Sequence, residues 1–104
     1  MDKDFKKLIT FYIGTFDKNT HKQELSIDYF KEILDETFDC YTLSKCYGRY
    51  KHNDGTVVNE LTLKVEYLDI NNTLNVQKTC DEFKQLFNQE CIMVTCTEID
   101  VAFI

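Results

Sequence analysis

The sequence predicts an α+β fold with four strands and two helices in the order β-α-β-β-α-β, and three observations support this prediction. Apolar and polar residues alternate in 8–16 and 56–68, which is the period of a half-buried strand. Apolar residues recur at helical spacing in 27–37 and 74–88. The turn Asp54–Gly55 separates two strand-like segments, because Asp-Gly supplies the positive φ angles of a tight hairpin.

The first and third strands each have an apolar and a mixed face. The apolar positions, which we expect to share the core, are Ile9, Phe11, Ile13, Leu61, Leu63 and Val65. The mixed positions are Thr10, Tyr12, Gly14, Thr62, Lys64 and Glu66. The second strand, 41–50, is rich in Tyr, Thr and Cys. Since the second and third strands with their turn are long, we expect this hairpin to project beyond the sheet.

The first helix, 27–37, follows a polar loop at 17–24 and has a clear start signal. Ser26 is a suitable N-cap, because its hydroxyl can accept a hydrogen bond from the first turn. Leu25 and Phe30 flank this cap and favour a hydrophobic staple. The first helix is therefore predicted with its apolar stripe towards the sheet.

The second helix, 74–88, is also amphipathic, and a last strand is predicted at 91–101. The apolar stripe of the second helix comprises Val76, Cys80, Phe83, Leu86 and Phe87. The element order resembles the ferredoxin-like split βαβ arrangement, as one domain over 1–104. Right-handed crossovers then place strands one and three in the middle of a four-stranded antiparallel sheet with both helices on one face.

Composition and charge exclude several classes of protein. The net charge of −6 argues against direct nucleic-acid binding, because phosphates demand a basic surface. No apolar run is long enough to span a membrane. Acidic residues at Asp2 and Asp4 disfavour a signal peptide. The five cysteines are odd in number and lack Cys-x-x-Cys spacing, so we expect reduced thiols and a cytoplasmic protein.

Catalytic motifs are sparse, and the sequence favours a protein that is not an enzyme. The only histidines, His21 and His52, lie in predicted loops, and no nucleophile elbow is present. Three glycines cannot build a phosphate-binding loop, and the cysteine spacings are too loose for zinc, so no cofactor or metal is expected. An enzyme that uses His52 or a cysteine, with Cys46 as the cysteine to test, is kept as a further alternative.

Two surfaces are candidates for partner binding. The acidic face of the first helix places carboxylates about 5–6 Å apart, close to the spacing of phosphates along a nucleic-acid strand. Its residues are Asp28, Glu32, Asp35 and Glu36. The hairpin interleaves aromatic and basic groups, which could stack and pair with a partner. Its residues are Tyr47, Arg49, Tyr50 and Lys51.

Two resemblances accompany these surfaces. Short matches at Ile13–Gly14, Tyr47–Tyr50, Asp54–Gly55 and Gln89–Glu90 resemble a family of small uncharacterised bacterial ferredoxin-like proteins, which implies the fold and no activity. In size, charge and a ratio of 11 Lys to one Arg, the chain also looks like phage-encoded anti-defence proteins of the anti-CRISPR type. That resemblance implies an inhibitor that occupies a basic channel.

The leading hypothesis is therefore a small acidic, non-enzymatic interaction protein from a phage or mobile element. It would inhibit a basic protein that handles nucleic acid, without touching nucleic acid or membrane itself. The alternative is an oligomeric sensor that binds a small molecule or nucleotide between ferredoxin-like subunits. A homodimer is compatible with both hypotheses.

Overall fold

The computed structural model describes residues 6–104 and has the predicted order of elements. The strands are β1 (Lys6–Gly14), β2 (Thr42–Lys51), β3 (Val57–Asp69) and β4 (Met93–Ile99), and the helices are α1 (Ile27–Thr37) and α2 (Val76–Leu86). All four strands are antiparallel and form one sheet in the order β2-β3-β1-β4. The predicted α+β, ferredoxin-like fold, with strands one and three in the middle, is confirmed.

The sheet register explains how the alternating pattern becomes two faces. Phe11 lies opposite Val65 on β3 and Val94 on β4, and Ile13 lies opposite Leu63. Directly opposed residues of antiparallel strands project to the same face. This face packs against both helices, and the opposite face, which we call the open face, carries Tyr12 and the other mixed positions.

Aromatic rings fill the core between sheet and helices. The ring of Phe83 lies 5.7 Å from that of Phe11 and 6.1 Å from that of Phe38, in edge-on arrangements. Phe30 and Phe87 stack at 4.4 Å and join the two helices. These rings are almost completely buried, and each contributes hydrophobic burial together with favourable ring geometry.

Both helices begin at side-chain caps. The hydroxyl of Ser26 accepts a hydrogen bond from the Tyr29 N–H, as predicted. The side chain of Asn75 accepts one from the Lys78 N–H at the start of α2. Each cap satisfies a backbone donor that the helix itself cannot pair.

Three local predictions differ from the structure. Leu86 is 43% exposed, because at about 100° per residue it lies at the edge of the helical stripe of Cys80, Phe83 and Phe87. The first strand ends at Gly14 rather than at residue 16, and Thr15 instead pairs its N–H with the Leu61 carbonyl. The last strand is shorter than 91–101 and begins at Met93.

The hairpin of β2 and β3 extends past the end of β1, as predicted. Pairing between β2 and β3 continues to Lys51 and Val57, whereas β1 ends opposite Thr62. Among residues 6–104, no helix is long and apolar enough to cross a membrane. Asp2 and Asp4, on which the argument about a signal peptide rested, lie outside the described residues.

Candidate functional site

A cavity of about 450 Å³ lies on the open face, where the hairpin extends past β1. Its volume falls within the range of small-molecule sites, about 300–1,000 Å³. Residues of all four strands contribute, together with the segment between α2 and β4. The lining residues are Tyr12, Gly14, Cys46, Tyr47, Gly48, Arg49, Tyr50, Glu60, Thr62, Gln89, Cys91 and Met93.

Two glycines leave room for functional side chains on this face. A Cβ atom at Gly14 would collide with Oε1 of Glu60, and one at Gly48 would collide with Oγ1 of Thr62. Gly14 pairs with Thr62, and Gly48 pairs with Glu60. The glycines therefore let the side chains of Glu60 and Thr62 lie flat over neighbouring strands beside the cavity.

Glu60 is a buried carboxylate at the edge of this cavity. It is only 6% exposed, and its Oε2 accepts a hydrogen bond of 2.8 Å from the Phe16 N–H. Burial raises the pKa of Glu60, and the Phe16 N–H and the nearby His52 only partly offset this effect. A buried acid with a raised pKa that faces a cavity is a strong candidate for a functional group.

The segment that holds Glu60 is itself fixed by Gln89. The Gln89 amide donates a hydrogen bond of 2.7 Å to the Phe16 carbonyl and one of 3.2 Å to the Phe87 carbonyl. Because Gln89 is buried, these bonds satisfy carbonyls that have little access to water. The loop after β1 is thereby attached to the segment after α2.

Tyr50 joins the hairpin to the segment before β4. Its hydroxyl donates a hydrogen bond of 3.1 Å to Glu90 Oε2 and lies 3.2 Å from Cys91 Sγ. The contact with Cys91, burial and the Glu90 carboxylate all raise the pKa of Tyr50. The phenol therefore stays protonated across the physiological range and can act as a hydrogen-bond donor.

The two histidines come together behind Tyr50. Their rings stack with centroids 4.3 Å apart, although 31 positions separate His21 from His52 in the sequence. His52 Nδ1 lies 3.2 Å from Glu90 Oε1, and His21 Nε2 lies 3.3 Å from Asp54 Oδ2. Sequence reasoning placed both histidines in separate loops and did not predict this contact.

The residues predicted for the hairpin surface fall partly in the cavity. Tyr47, Arg49 and Tyr50 line it, whereas Lys51 is an exposed residue outside it. Tyr47 is 98% exposed and lies at the rim. A role of these residues in binding a protein partner stays a prediction.

The predicted acidic face lies on the other side of the molecule. Asp28, Glu32, Asp35 and Glu36 are all exposed on α1, which packs on the sheet face opposite the cavity. Asp35 accepts a hydrogen bond of 2.6 Å from the Tyr41 hydroxyl. Burial and this carboxylate raise the pKa of Tyr41 to about 12. Partner binding by this face also stays a prediction.

Several cavity residues escaped the sequence analysis. Glu60 lies within the predicted third strand, where nothing singled it out, and Gln89 and Cys91 lie in a segment without a motif. Tyr12 and Gly14 were placed on the open face, but nothing marked them as functional. The five cysteines are free thiols, and residues 6–104 contain no group of three or more side chains arranged to hold a metal ion.

Comparison with known proteins gives one informative similarity. No protein-family model and no curated protein matches the chain. A solved structure with the same fold is a phage SAM lyase in complex with S-methyl-5'-thioadenosine. The two structures superpose with a TM-score of 0.70 at 17% sequence identity, over 89% of this chain and 81% of that chain. At this identity the similarity establishes the shared fold.

This similarity corrects the functional prediction. The hypothesis of a non-enzymatic inhibitor is wrong, because the fold is shared with an enzyme, and the expectation that the chain is no enzyme is wrong for the same reason. The likeness to phage proteins is supported, whereas nothing supports the narrower likeness to anti-CRISPR proteins. The cavity is assembled from strands that are distant in the sequence, so no sequence motif marks it.

Proposed function

We propose that the chain is an enzyme that binds S-adenosylmethionine (SAM), or a closely related sulfonium nucleoside, in the open-face cavity and cleaves it to release methylthioadenosine. One observation carries this proposal: a buried carboxylate, Glu60, faces a cavity that is also lined by three tyrosines, Tyr12, Tyr47 and Tyr50. The fold shared with a phage SAM lyase gives the substrate class.

The charges around the cavity suit such a substrate. A sulfonium centre is a cation, and both a desolvated carboxylate and the faces of tyrosine rings attract cations. Glu60 supplies the carboxylate, and Tyr12 and Tyr50 supply the rings. Arg49, the one arginine of the chain, is among the lining residues and can pair with the carboxylate of the amino-acid part.

The atoms and electrons of this cleavage balance without water or a cofactor. The bond between sulfur and the γ-carbon breaks, and its electron pair moves to sulfur, which becomes the neutral thioether of methylthioadenosine. The four-carbon fragment then completes its valence in one of two ways. Either its own carboxylate attacks the γ-carbon and closes a lactone, or a proton leaves the β-carbon and an alkene forms.

Glu60 has a different role in each route. In the alkene route it is the base that takes the β-proton, and its raised pKa suits this task. In the lactone route it transfers no proton and orients the substrate through its charge. Identification of the four-carbon product therefore assigns the role of Glu60.

The test is incubation of the purified full chain with SAM, followed by mass spectrometry of methylthioadenosine and the four-carbon product. We expect the wild type to cleave SAM. For Glu60→Gln we expect kcat to fall at least about 100-fold, which is the loss typical of removing one catalytic group. Glu36→Gln is the matched control, because it makes the same chemical change on the exposed face of α1. We expect this control to retain full activity.

Binding is measured separately from turnover. Calorimetry with SAM and with methylthioadenosine shows whether the cavity accepts the substrate and the product. The proposal is wrong if the wild type neither cleaves SAM nor binds either compound. It is also wrong if Glu60→Gln and Glu36→Gln cleave SAM equally well.

A further inference from the structure

His52 is the most deeply buried titratable side chain near the cavity, and the cleavage chemistry does not use it. It is 4% exposed and lies between the ring of His21, stacked at 4.3 Å, and the ring of Tyr50, edge-on at 4.9 Å. Neither His52 nor Glu90 lines the cavity. A role of these two residues must therefore act through a neighbour.

The hydrogen-bond partners of the His52 ring indicate which of its two nitrogens carries a proton. Nδ1 lies 3.2 Å from Glu90 Oε1, and Nε2 is buried with no hydrogen-bond partner among residues 6–104. A carboxylate only accepts hydrogen bonds, so Nδ1 carries the proton and donates it. In the tautomer that is protonated at Nδ1, Nε2 carries no proton, so no buried N–H is unpaired.

Glu90 connects His52 to the cavity. Its Oε1 accepts from His52, and its Oε2 accepts from the Tyr50 hydroxyl at 3.1 Å and from the Asn53 N–H at 3.1 Å. Both carboxylate oxygens are thus occupied, which fixes the orientation of the group. The Tyr50 hydroxyl is held in turn, and its ring lines the cavity.

This arrangement also affects the electrons of the Tyr50 ring. A phenol that donates to a carboxylate has an electron-rich ring, which attracts a cation more strongly than a phenol in water does. The other ring, Tyr12, already has the Lys64 ammonium 6.0 Å from its centroid. Of these two rings, Tyr50 is therefore the one whose contact with a cationic substrate is not shared with the Lys64 ammonium.

We propose that His52 is a positioning residue, which acts through Glu90 to hold the Tyr50 ring for a sulfonium substrate in preference to a neutral thioether. The substrate part of this inference rests on the proposed function. His52 thereby sets selectivity for SAM over methylthioadenosine, so that product does not compete with substrate.

The first measurement needs no substrate. The protein is labelled with ¹³C at the hydroxyl-bearing carbon of tyrosine, and the Tyr50 resonance is assigned by its absence in Tyr50→Phe. We expect His52→Leu to shift this resonance, because Glu90 loses the donor that orients it. His52→Asn keeps a donor near Nδ1 and should restore most of the wild-type shift. His21→Leu is the control, since it changes the stacked ring and leaves the Glu90 contacts in place.

The second measurement is the ratio of the dissociation constants for methylthioadenosine and SAM. We expect His52→Leu and Glu90→Gln to lower this preference for SAM about 5- to 20-fold, the range of a partly desolvated cation–ring contact. His52→Asn and His21→Leu should stay near wild type. Circular dichroism checks that each variant is folded. If His52→Leu is not folded, Glu90→Gln takes its place in the comparison.

The outcomes separate this inference from the proposed function. If the wild type binds neither compound, the proposed function fails, and the Tyr50 resonance alone decides whether His52 positions Tyr50. If SAM binds but His52→Leu changes neither the resonance nor the preference, the positioning role is overturned. A shifted resonance with an unchanged preference also overturns the role in selectivity.

Discussion

The carboxylate of Glu60 lies over Gly14, in the space that a Cβ atom at position 14 would occupy. The two residues belong to neighbouring strands and are 46 positions apart in the sequence. Because Gly14 has no side chain, Glu60 can fold back under the loop after β1 and accept the Phe16 N–H. The glycine thus creates the buried environment that raises the pKa of Glu60.

This relationship predicts strong coupling between positions 14 and 60. Gly14→Ala should destabilise the protein by about 1–3 kcal/mol, because the added methyl group forces Glu60 out of its place. In a Glu60→Ala background the same substitution should cost much less, since the colliding carboxylate is gone. Urea denaturation of the two single variants and the double variant measures the coupling energy.

Gly48→Ala is the matched control for this cycle. Its new Cβ would meet Thr62 rather than the Glu60 side chain, so its cost should be nearly the same with and without Glu60→Ala. An equal cost of Gly14→Ala in both backgrounds would contradict the packing described for Glu60.

The sequence predicted the fold well where a periodic pattern carries the information. Ile9, Phe11 and Ile13 are all buried, as their alternation predicts, because one face of the sheet is buried and the other is not. The predicted turn at Asp54–Gly55 is also confirmed, because Gly55 adopts a φ of +90°. Leu86 was assigned to the core, although at helical spacing it lies at the edge of the apolar stripe of α2, where it stays 43% exposed.

The candidate site could not be predicted in the same way. Glu60 is buried beside the cavity only because the sheet register brings it over Gly14. A register is not visible in the sequence of either segment alone. The contact of His21 with His52 depends on a loop that folds back onto the hairpin. The acidic pattern of α1 was visible in the sequence, and it lies on the side of the sheet opposite the cavity. Partner binding there stays a prediction.

Glu60 also predicts how stability changes with pH. Its pKa in the folded protein is raised above the unfolded value, so the stability linked to its protonated form is present at low pH and is lost as the pH rises through the folded pKa. Glu60→Gln stays neutral and should be more stable than the wild type at pH 7. The difference should shrink as the pH approaches about 4, near the ordinary glutamate pKa. Urea denaturation between pH 4 and 8 checks this, and a wild type more stable than the variant at pH 7 would refute it.

Asp17 should show the opposite dependence on pH. Burial acts to raise the pKa of Asp17, but hydrogen bonds from Asn88, Asn19 and Thr20 outweigh it and lower the pKa. The stability from this carboxylate is therefore present above the unfolded pKa and is lost as the pH falls through the folded pKa. Asp17→Asn removes an acceptor for the 2.7 Å bond from Asn88 and should cost about 1 kcal/mol at pH 7. The loss should be smaller near pH 3, and a loss independent of pH would argue against the assignment.

Phe83 and Leu86 lie on the same helix and should respond very differently to truncation. Phe83 is buried among Phe11, Phe38 and Phe87, so Phe83→Ala should destabilise the protein by about 3–5 kcal/mol. Leu86 is 43% exposed, and Leu86→Ala should cost less than about 1 kcal/mol. Thermal unfolding of both variants tests the orientation of α2, and similar losses would show that the helix is rotated from the position described here.

Substitutions of Gln89 should change the stability of the protein according to the chemistry of the new side chain rather than its size. Its amide nitrogen faces the carbonyls of Phe16 and Phe87, so Gln89→Ala leaves two acceptors unpaired and should cost about 1–3 kcal/mol. Gln89→Glu keeps the size but turns the donor into a charged acceptor at pH 7, and it should cost more than Gln89→Ala. Near pH 4 a protonated carboxyl can donate again, so the penalty of Gln89→Glu should fall while that of Gln89→Ala stays constant. Urea denaturation at both pH values measures the two penalties, and a Gln89→Glu variant as stable as the wild type at pH 7 would contradict the hydrogen bonds that fix the loop after β1.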